Sequence, residues 1–399
     1  MCRERALGSE PMSLPRILTV LAVSSGLVVG CTSSATHSSA TPSSTAAPAA
    51  YQMSAPAPAN PPCDPQALLA SLKLDQELAQ LLMVGVKGTD DARAVLTDYQ
   101  VGGIFVGSWT DMSILGGPIA DLQNAPQALP IAVSIDEEGG RVSRLSKVIG
   151  KQDSARVLAA TKSADDVRGI AKTRGDQMRG LGITVDFAPD ADVSDEPDDE
   201  VIGDRSFSND PAKVAEYAGA YAAGLRDAGV LPVLKHFPGH GHGSGDSHTG
   251  GVVTPPLDAL KAADLIPYRT LTTEAPVAVM VGHLQVPGLT GNDPASLSPA
   301  AYNLLRSGGY GGPGFDGVVF TDDVSSMAAI SQHYGVPEAA LKSLQAGADI
   351  ALWVTTDEVP AVLKRLVDAV NSGQLDKARV DQSFLRVAAM KGSSPRCAR

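Results

Sequence analysis

Eight short apolar runs, separated by longer helix-like stretches and followed in several cases by charged residues, predict an α/β fold, a single (β/α)8 barrel of the TIM type. Runs that are apolar throughout suit parallel strands, because such strands are covered on both faces. A doubly wound open sheet would show the same alternation and is the structural alternative. The chain has 399 residues, 43% hydrophobic and 19% charged, an ordinary globular balance. Barrels of this size form one unit, and no second globular domain is visible.

The barrel does not start at the first residue. Arg16 precedes the apolar run Ile17 to Val29, which is too short to span a bilayer and suits the core of a signal peptide. The run ends in Val28-Val29-Gly30-Cys31, which resembles the bacterial lipobox. That resemblance implies a lipoprotein signal peptide over 1–30, with Cys31 as the lipidated first residue of the mature chain. A simple cleaved signal with a chance cysteine is the alternative, and Met12 is an alternative start. Residues 31–62 are mostly Ser, Thr, Ala and Pro, a composition that buries too little surface to offset its ordering entropy, and they read as a disordered tether. The expected location is therefore extracytoplasmic, with the membrane touched through a lipid anchor only. Cys63 and Cys397 bracket the globular part, 63–397, and an oxidising compartment favours a disulfide between them over two unpaired thiols.

Within that part the expected strands are LLMVGV (81–86), GGIFVG (102–107), PIAVSID (130–136), GITVDFAP (182–189), VLPVLKHF (230–237), VAVMVGH (277–283), GVVFTD (317–322) and DIALWV (349–354). Helical spacing marks 162–180, 211–228 and 257–274. Barrel chemistry gathers at the carboxyl ends of strands. Asp136, Lys235, His236, His283 and Asp322 all stand where an apolar run stops, which points to one shared pocket.

A formal net charge of −12 argues against nucleic acid, which demands a basic surface. Aromatic residues are only 4%, so stacking platforms for a long polymer should be scarce and a small pocket is expected in a monomer. The densest chemistry lies in KHFPGHGHGSGDSHTG, Lys235 to Gly250, with four histidines. His236, His240, His242 and His248 would suit a zinc-dependent barrel hydrolase. Against that, glycine at 239, 241, 243 and 245 loosens a backbone that a metal cage needs rigid, and Lys235 adds an unhelpful positive charge. The preferred reading uses no metal and no cofactor: Asp246 accepts from Nδ1 of His248, leaving Nε2 to act as general acid and base on a mobile loop. Asp322 is the matching carboxylate, a nucleophile for glycoside cleavage with retention. Spacing alone does not separate it from Asp323, since either aspartate can cap the following helix.

KHFPGHG followed by DSH, the FTDD strand end and DEEGGRVSR (136–144) resemble the glycoside hydrolase family 3 β-N-acetylhexosaminidases of the peptidoglycan-recycling type. The resemblance covers about 66 to 390. It implies Asp322 as nucleophile, His248 as acid/base assisted by Asp246, and Asp136, Arg144, Arg205, Lys235 and His236 as sugar-binding residues. His283 matches a family strand end less firmly. The implied reaction is removal of terminal GlcNAc from GlcNAc–MurNAc fragments or other GlcNAc-containing saccharides and muropeptides. A β-glucosidase or a β-N-acetylglucosaminide phosphorylase of the same family, the metallohydrolase, and a non-catalytic lectin-like lipoprotein are the alternatives.

Overall fold

The structure is a computed structural model that describes residues 51–54, 60–394 and 396–397. The expected signal peptide, Cys31 and most of the expected tether lie outside the described residues.

All eight expected runs become strands: β1 (Leu82–Gly85), β2 (Gly103–Val106), β3 (Ala132–Ile135), β4 (Val185–Asp186), β5 (Leu231–Phe237), β6 (Ala278–Val281), β7 (Val319–Thr321) and β8 (Ala351–Trp353). Every neighbouring pair is parallel, with registers such as Val84↔Ile104 between β1 and β2 and Met83↔Leu352 between β1 and β8. The sheet closes through a bridge between Phe320 and Ile350. At that seam Thr321 replaces a ladder bond with its side chain, its Oγ1 accepting from the amide of Leu352 at 3.0 Å. The fold is therefore a closed barrel, not an open doubly wound sheet.

The apolar runs are explained by double coverage, since β1, β2, β3 and β6 are buried along their whole length. Inside, Phe187 touches both Phe105, 5.7 Å between ring centroids, and Phe320, 5.5 Å. These residues come from or follow β2, β4 and β7, which are not neighbours in the sheet, so their rings meet in the barrel interior.

Helices follow the expected spacing at Ala164–Gly180, opened by a Ser163/Asp166 capping box, and at Pro211–Asp227, capped by Asp210. The third expected helix, 257–274, is broken into Leu257–Ala262 and Ile266–Leu271. Pro267 suits the first turn of a new helix better than the middle of an old one. Asp264, in the break, is buried and accepts from Nδ1 of His242 at 2.9 Å. A long-range contact thus overrides the local period. Cys63 and Cys397 are joined by a disulfide, their Cα atoms 4.9 Å apart.

Candidate active site

The carboxyl ends of the strands surround a cavity of about 360 Å³. Asp136, Arg144, Arg205, Lys235, His236, His248 and Asp322 all border it. Asp246 supports the site from behind, and His283 does not line the cavity.

One wall is a buried ion network. Lys235, at the end of β5, donates from Nζ to Asp136 Oδ1 at 2.9 Å and pairs with Glu138 Oε1 at 2.5 Å. Arg205 grips Glu138 with two bonds, Nε to Oε2 at 2.8 Å and a terminal nitrogen to Oε1 at 2.9 Å. Such bidentate pairing fixes both side chains. Arg144 approaches the other Asp136 oxygen at 3.6 Å. Burial pushes the Glu138 carboxyl up, but the Arg205 and Lys235 charges outweigh it and hold it well below the usual carboxylate range. Asp190 differs: burial raises its carboxyl to about 7, with the Glu138 charge adding to the rise against the pull of Arg205. It accepts no hydrogen bond among the described residues, and its nearest cations are Arg205 Nε at 3.3 Å and Lys235 Nζ at 3.9 Å.

His236 carries a dyad of its own, its Nδ1 2.7 Å from Asp192 Oδ2. Asp192 also accepts from the His236 and His240 amides, tying down both ends of the HFPGH turn. Burial lowers the His236 pKa, yet the Asp192 charge outweighs it and holds the imidazolium above its ordinary range.

Across the cavity stands Asp322, at the end of β7, accepting from the Asp323 amide at 2.8 Å. Burial pushes its carboxyl up, but the charges of His283 and His236 and that amide bond bring it down to about 2. It is ionised at any working pH. Neither aspartate caps the following helix, Ala328–Ser331, whose N-cap is Met327; Asp323 is tied into the turn before it, its Oδ1 accepting from the Ser325 amide and hydroxyl and its Oδ2 from those of Ser326. Both aspartates border the cavity, but the Asp323 carboxyl is the one committed to the turn. His283 is a buried strut, with Nδ1 2.7 Å from Ser296 Oγ and Nε2 donating to the Asp323 carbonyl at 2.7 Å.

The histidine loop delivers His248, whose Nδ1 lies 2.8 Å from Asp246 Oδ1, while the same oxygen accepts the His248 amide at 2.9 Å. A donating Nδ1–H leaves Nε2 as the other reactive nitrogen. His248 is 65% exposed and stands on the solvent side of the cavity. The alternating glycines do not make this loop slack. A Cβ at 239 would lie 2.5 Å from Asp264 Cβ, and one at 241 would lie 2.0 Å from the Val193 carbonyl. These glycines permit close packing; of the four alternating ones, 239, 241, 243 and 245, only Gly245 stands in open space. The loop is also docked, with its Ser247 and His248 carbonyls accepting from the Ala329 and Ala328 amides.

The four histidines do not converge on a point, because His236, His242 and His248 each turn Nδ1 to a different aspartate. A different set, Asp190, Asp192 and His236, brings three ligand atoms within 4.8 Å of one another. Arg205 already lies against Asp190 and within 3.4 Å of His236 Nε2, so the charge there is balanced by a guanidinium.

Glu138, Asp190 and Asp192 are site residues that sequence reading did not single out. So is the pair beneath them: Glu137, fully buried, accepts from Arg174 Nε at 3.1 Å, Ser143 Oγ at 2.7 Å and the Leu145 amide at 2.8 Å. That pair braces the short ladder of Glu137–Gly139 with Val142–Ser143, between Asp136 and Arg144. The available signal was the alternation of acids in Asp190-Ala191-Asp192 just past an apolar run.

A model of the glycosyl hydrolase family 3 N-terminal domain matches residues 73–390. Beta-hexosaminidase LpqI of Mycobacterium tuberculosis is 60% identical over 391 residues, 97% of this chain and 100% of that protein. The solved structure of M. tuberculosis LpqI superposes with a TM-score of 0.84 at 64% identity, over 85% of this chain and 100% of that one. A family 3 β-N-acetylglucosaminidase from a Paenibacillus strain gives a TM-score of 0.75 at 35% identity, over 80% of this chain and 62% of that one.

Proposed function

The chain belongs to glycosyl hydrolase family 3, a β-hexosaminidase by its full-length similarity, and from that premise we propose a retaining exo-β-N-acetylglucosaminidase acting on GlcNAc–MurNAc fragments of cell wall. One observation carries the reading: an aspartate held ionised and a histidine–aspartate dyad border the same small cavity. In the first step an Asp322 oxygen bonds to the anomeric carbon as the glycosidic C–O bond breaks, and Nε2–H of His248 passes its proton to the departing oxygen. In the second step neutral His248 takes a proton from water, the water oxygen bonds to the anomeric carbon, and Asp322 leaves as carboxylate. Asp246 holds the ring orientation throughout and stabilises the imidazolium present before the first step and restored by the second.

The ion network supplies the sugar site. Arg205 is committed to Glu138, and Asp136 to Lys235 and Arg144, so the wall meets the substrate as a preset unit. Preset dipoles and charges need no reorganisation when the substrate arrives. The apolar leader and Cys31 further support a lipoprotein on the outer face of the cytoplasmic membrane or in the cell envelope, for which mass spectrometry of the mature N-terminus is the test.

Incubating the protein with GlcNAc–MurNAc, with and without phosphate, and identifying the products tests reaction, sugar and acceptor together. Free GlcNAc in both cases is expected. GlcNAc 1-phosphate would make the enzyme a phosphorylase, an outcome open to an imidazole acid/base because neutral histidine does not repel phosphate. Equal turnover of the 2-hydroxyl glucoside would make it a β-glucosidase, and intact disaccharide would end the hydrolase reading.

A further inference from the structure

Trp109 stands at the rim of the cavity with 45% of its surface exposed. The only other tryptophan, Trp353, is buried in β8. A single exposed apolar residue is ordinary, so exposure alone carries nothing. The way this side chain is held does. Its ring meets Phe105 edge-on, 5.7 Å between centroids and 62° between planes. The indole's six-membered ring lies over Gly107, where a Cβ would come within 2.5 Å of three ring carbons. Any other residue at 107 would dislodge it. Thr110 pins the turn beneath: its Oγ1 accepts from the Gly107 amide at 3.0 Å and donates to the Val86 carbonyl at 2.7 Å. The Asp111 amide adds a bond to the Lys87 carbonyl at 2.9 Å. A large aromatic surface is thus presented to solvent in one orientation, so binding on it costs little ordering entropy.

Depth assigns what it meets. The polar wall lies deep, with the Lys235 and Glu138 side chains only 3% and 5% exposed. His248, which protonates the departing oxygen, is at solvent level, as Trp109 is. The sugar attacked by Asp322 occupies the deep polar half, and whatever leaves must lie outward of His248. We propose that Trp109 is a stacking platform for the leaving-group sugar, taking the apolar C–H face of that ring and setting a preference for saccharide over small leaving groups. This rests on the glycosidase reading above and adds a specificity residue to it.

The test compares Trp109→Ala and Trp109→Phe on two substrates that differ only in the leaving group, GlcNAc–MurNAc and GlcNAc β-fluoride, which departs without a ring. For Trp109→Ala, kcat/KM on the disaccharide should fall about tenfold, the scale of one aromatic contact. Turnover of the fluoride should fall by less than about threefold, and Trp109→Phe should retain most disaccharide activity. Independently of turnover, free MurNAc should shift the tryptophan emission of the unaltered protein, a response that Trp109→Ala removes while Trp353 still emits. Parallel losses on both substrates, undiminished disaccharide turnover, or an emission indifferent to MurNAc would overturn the platform. Failure of the unaltered protein to cleave either substrate would sink the glycosidase reading instead, and the MurNAc titration would still judge Trp109.

Discussion

Glu138→Gln removes one charge from the buried wall and keeps its shape, which makes its cost calculable. Glu138 is the shared partner of Arg205, through two hydrogen bonds, and of Lys235 at 2.5 Å. Deleting one partner of a buried ion pair costs roughly 3–5 kcal/mol, because the remaining charge stays buried. Here the lower end applies. Lys235 retains Asp136 at 2.9 Å, and Arg205 retains Asp190 at 3.3 Å. Moreover, the Glu138 charge is one of the forces raising Asp190 to about 7, so its loss lets Asp190 ionise and assume part of the pairing. The expected loss at neutral pH is therefore about 3 kcal/mol. Its pH dependence has a definite sign. The folded carboxyl of Glu138 is depressed by Arg205 and Lys235 against the opposing effect of burial. Its contribution is therefore fully present above the unfolded value of about 4.3 and is lost as pH falls toward the folded one. Urea unfolding of both proteins at about pH 7 and about pH 3 should show a wide gap that narrows in acid. A gap below about 1 kcal/mol at pH 7, or one of equal size at both pH values, would refute the reasoning.

Asp322→Ala should reduce turnover of an aryl β-GlcNAc by at least about 10³-fold with the protein still folded, and undiminished activity would exclude it as nucleophile. His248→Ala should cost about 10²–10⁴-fold on poor leaving groups and far less on activated aryl ones; equal losses would remove the acid role. Chelator treatment should leave activity intact, because Arg205 fills the charge position beside Asp190 and His236; bound zinc with chelator-sensitive activity would displace the mechanism. Replacing Cys63 and Cys397 together by serine should lower unfolding stability by roughly 2–5 kcal/mol, read as a drop in Tm, while kcat on the aryl substrate holds.

Particular residues show how far sequence reading reached. The eight apolar runs read correctly because parallel strands are buried on both faces and so are mostly apolar, with the few buried polar residues, such as Ser134, Asp186 and Thr321, held by hydrogen bonds. Asp136, Lys235, His236 and Asp322 were visible because each ends such a run, and a barrel makes those ends converge. Asp246 and His248 were visible because two residues span the contact between them. Asp190 and Asp192 were not, since acids after Pro189 look like any solvated loop. Their meaning depends on Lys235, Arg205 and His236. The glycines of the histidine loop were read as slack, when Asp264 and Val193 pack where their side chains would be.

The sequence by itself determined the alternation of strands and helices and the local dyad on the loop, because hydrophobic period and nearest-neighbour hydrogen bonds are set within a few residues. Tertiary structure decided which acid holds which cation: Lys235 meets Asp136 across 99 positions, and His236 meets Asp192 across 44. Buried charges must find partners wherever the fold brings them, and that choice is made in space.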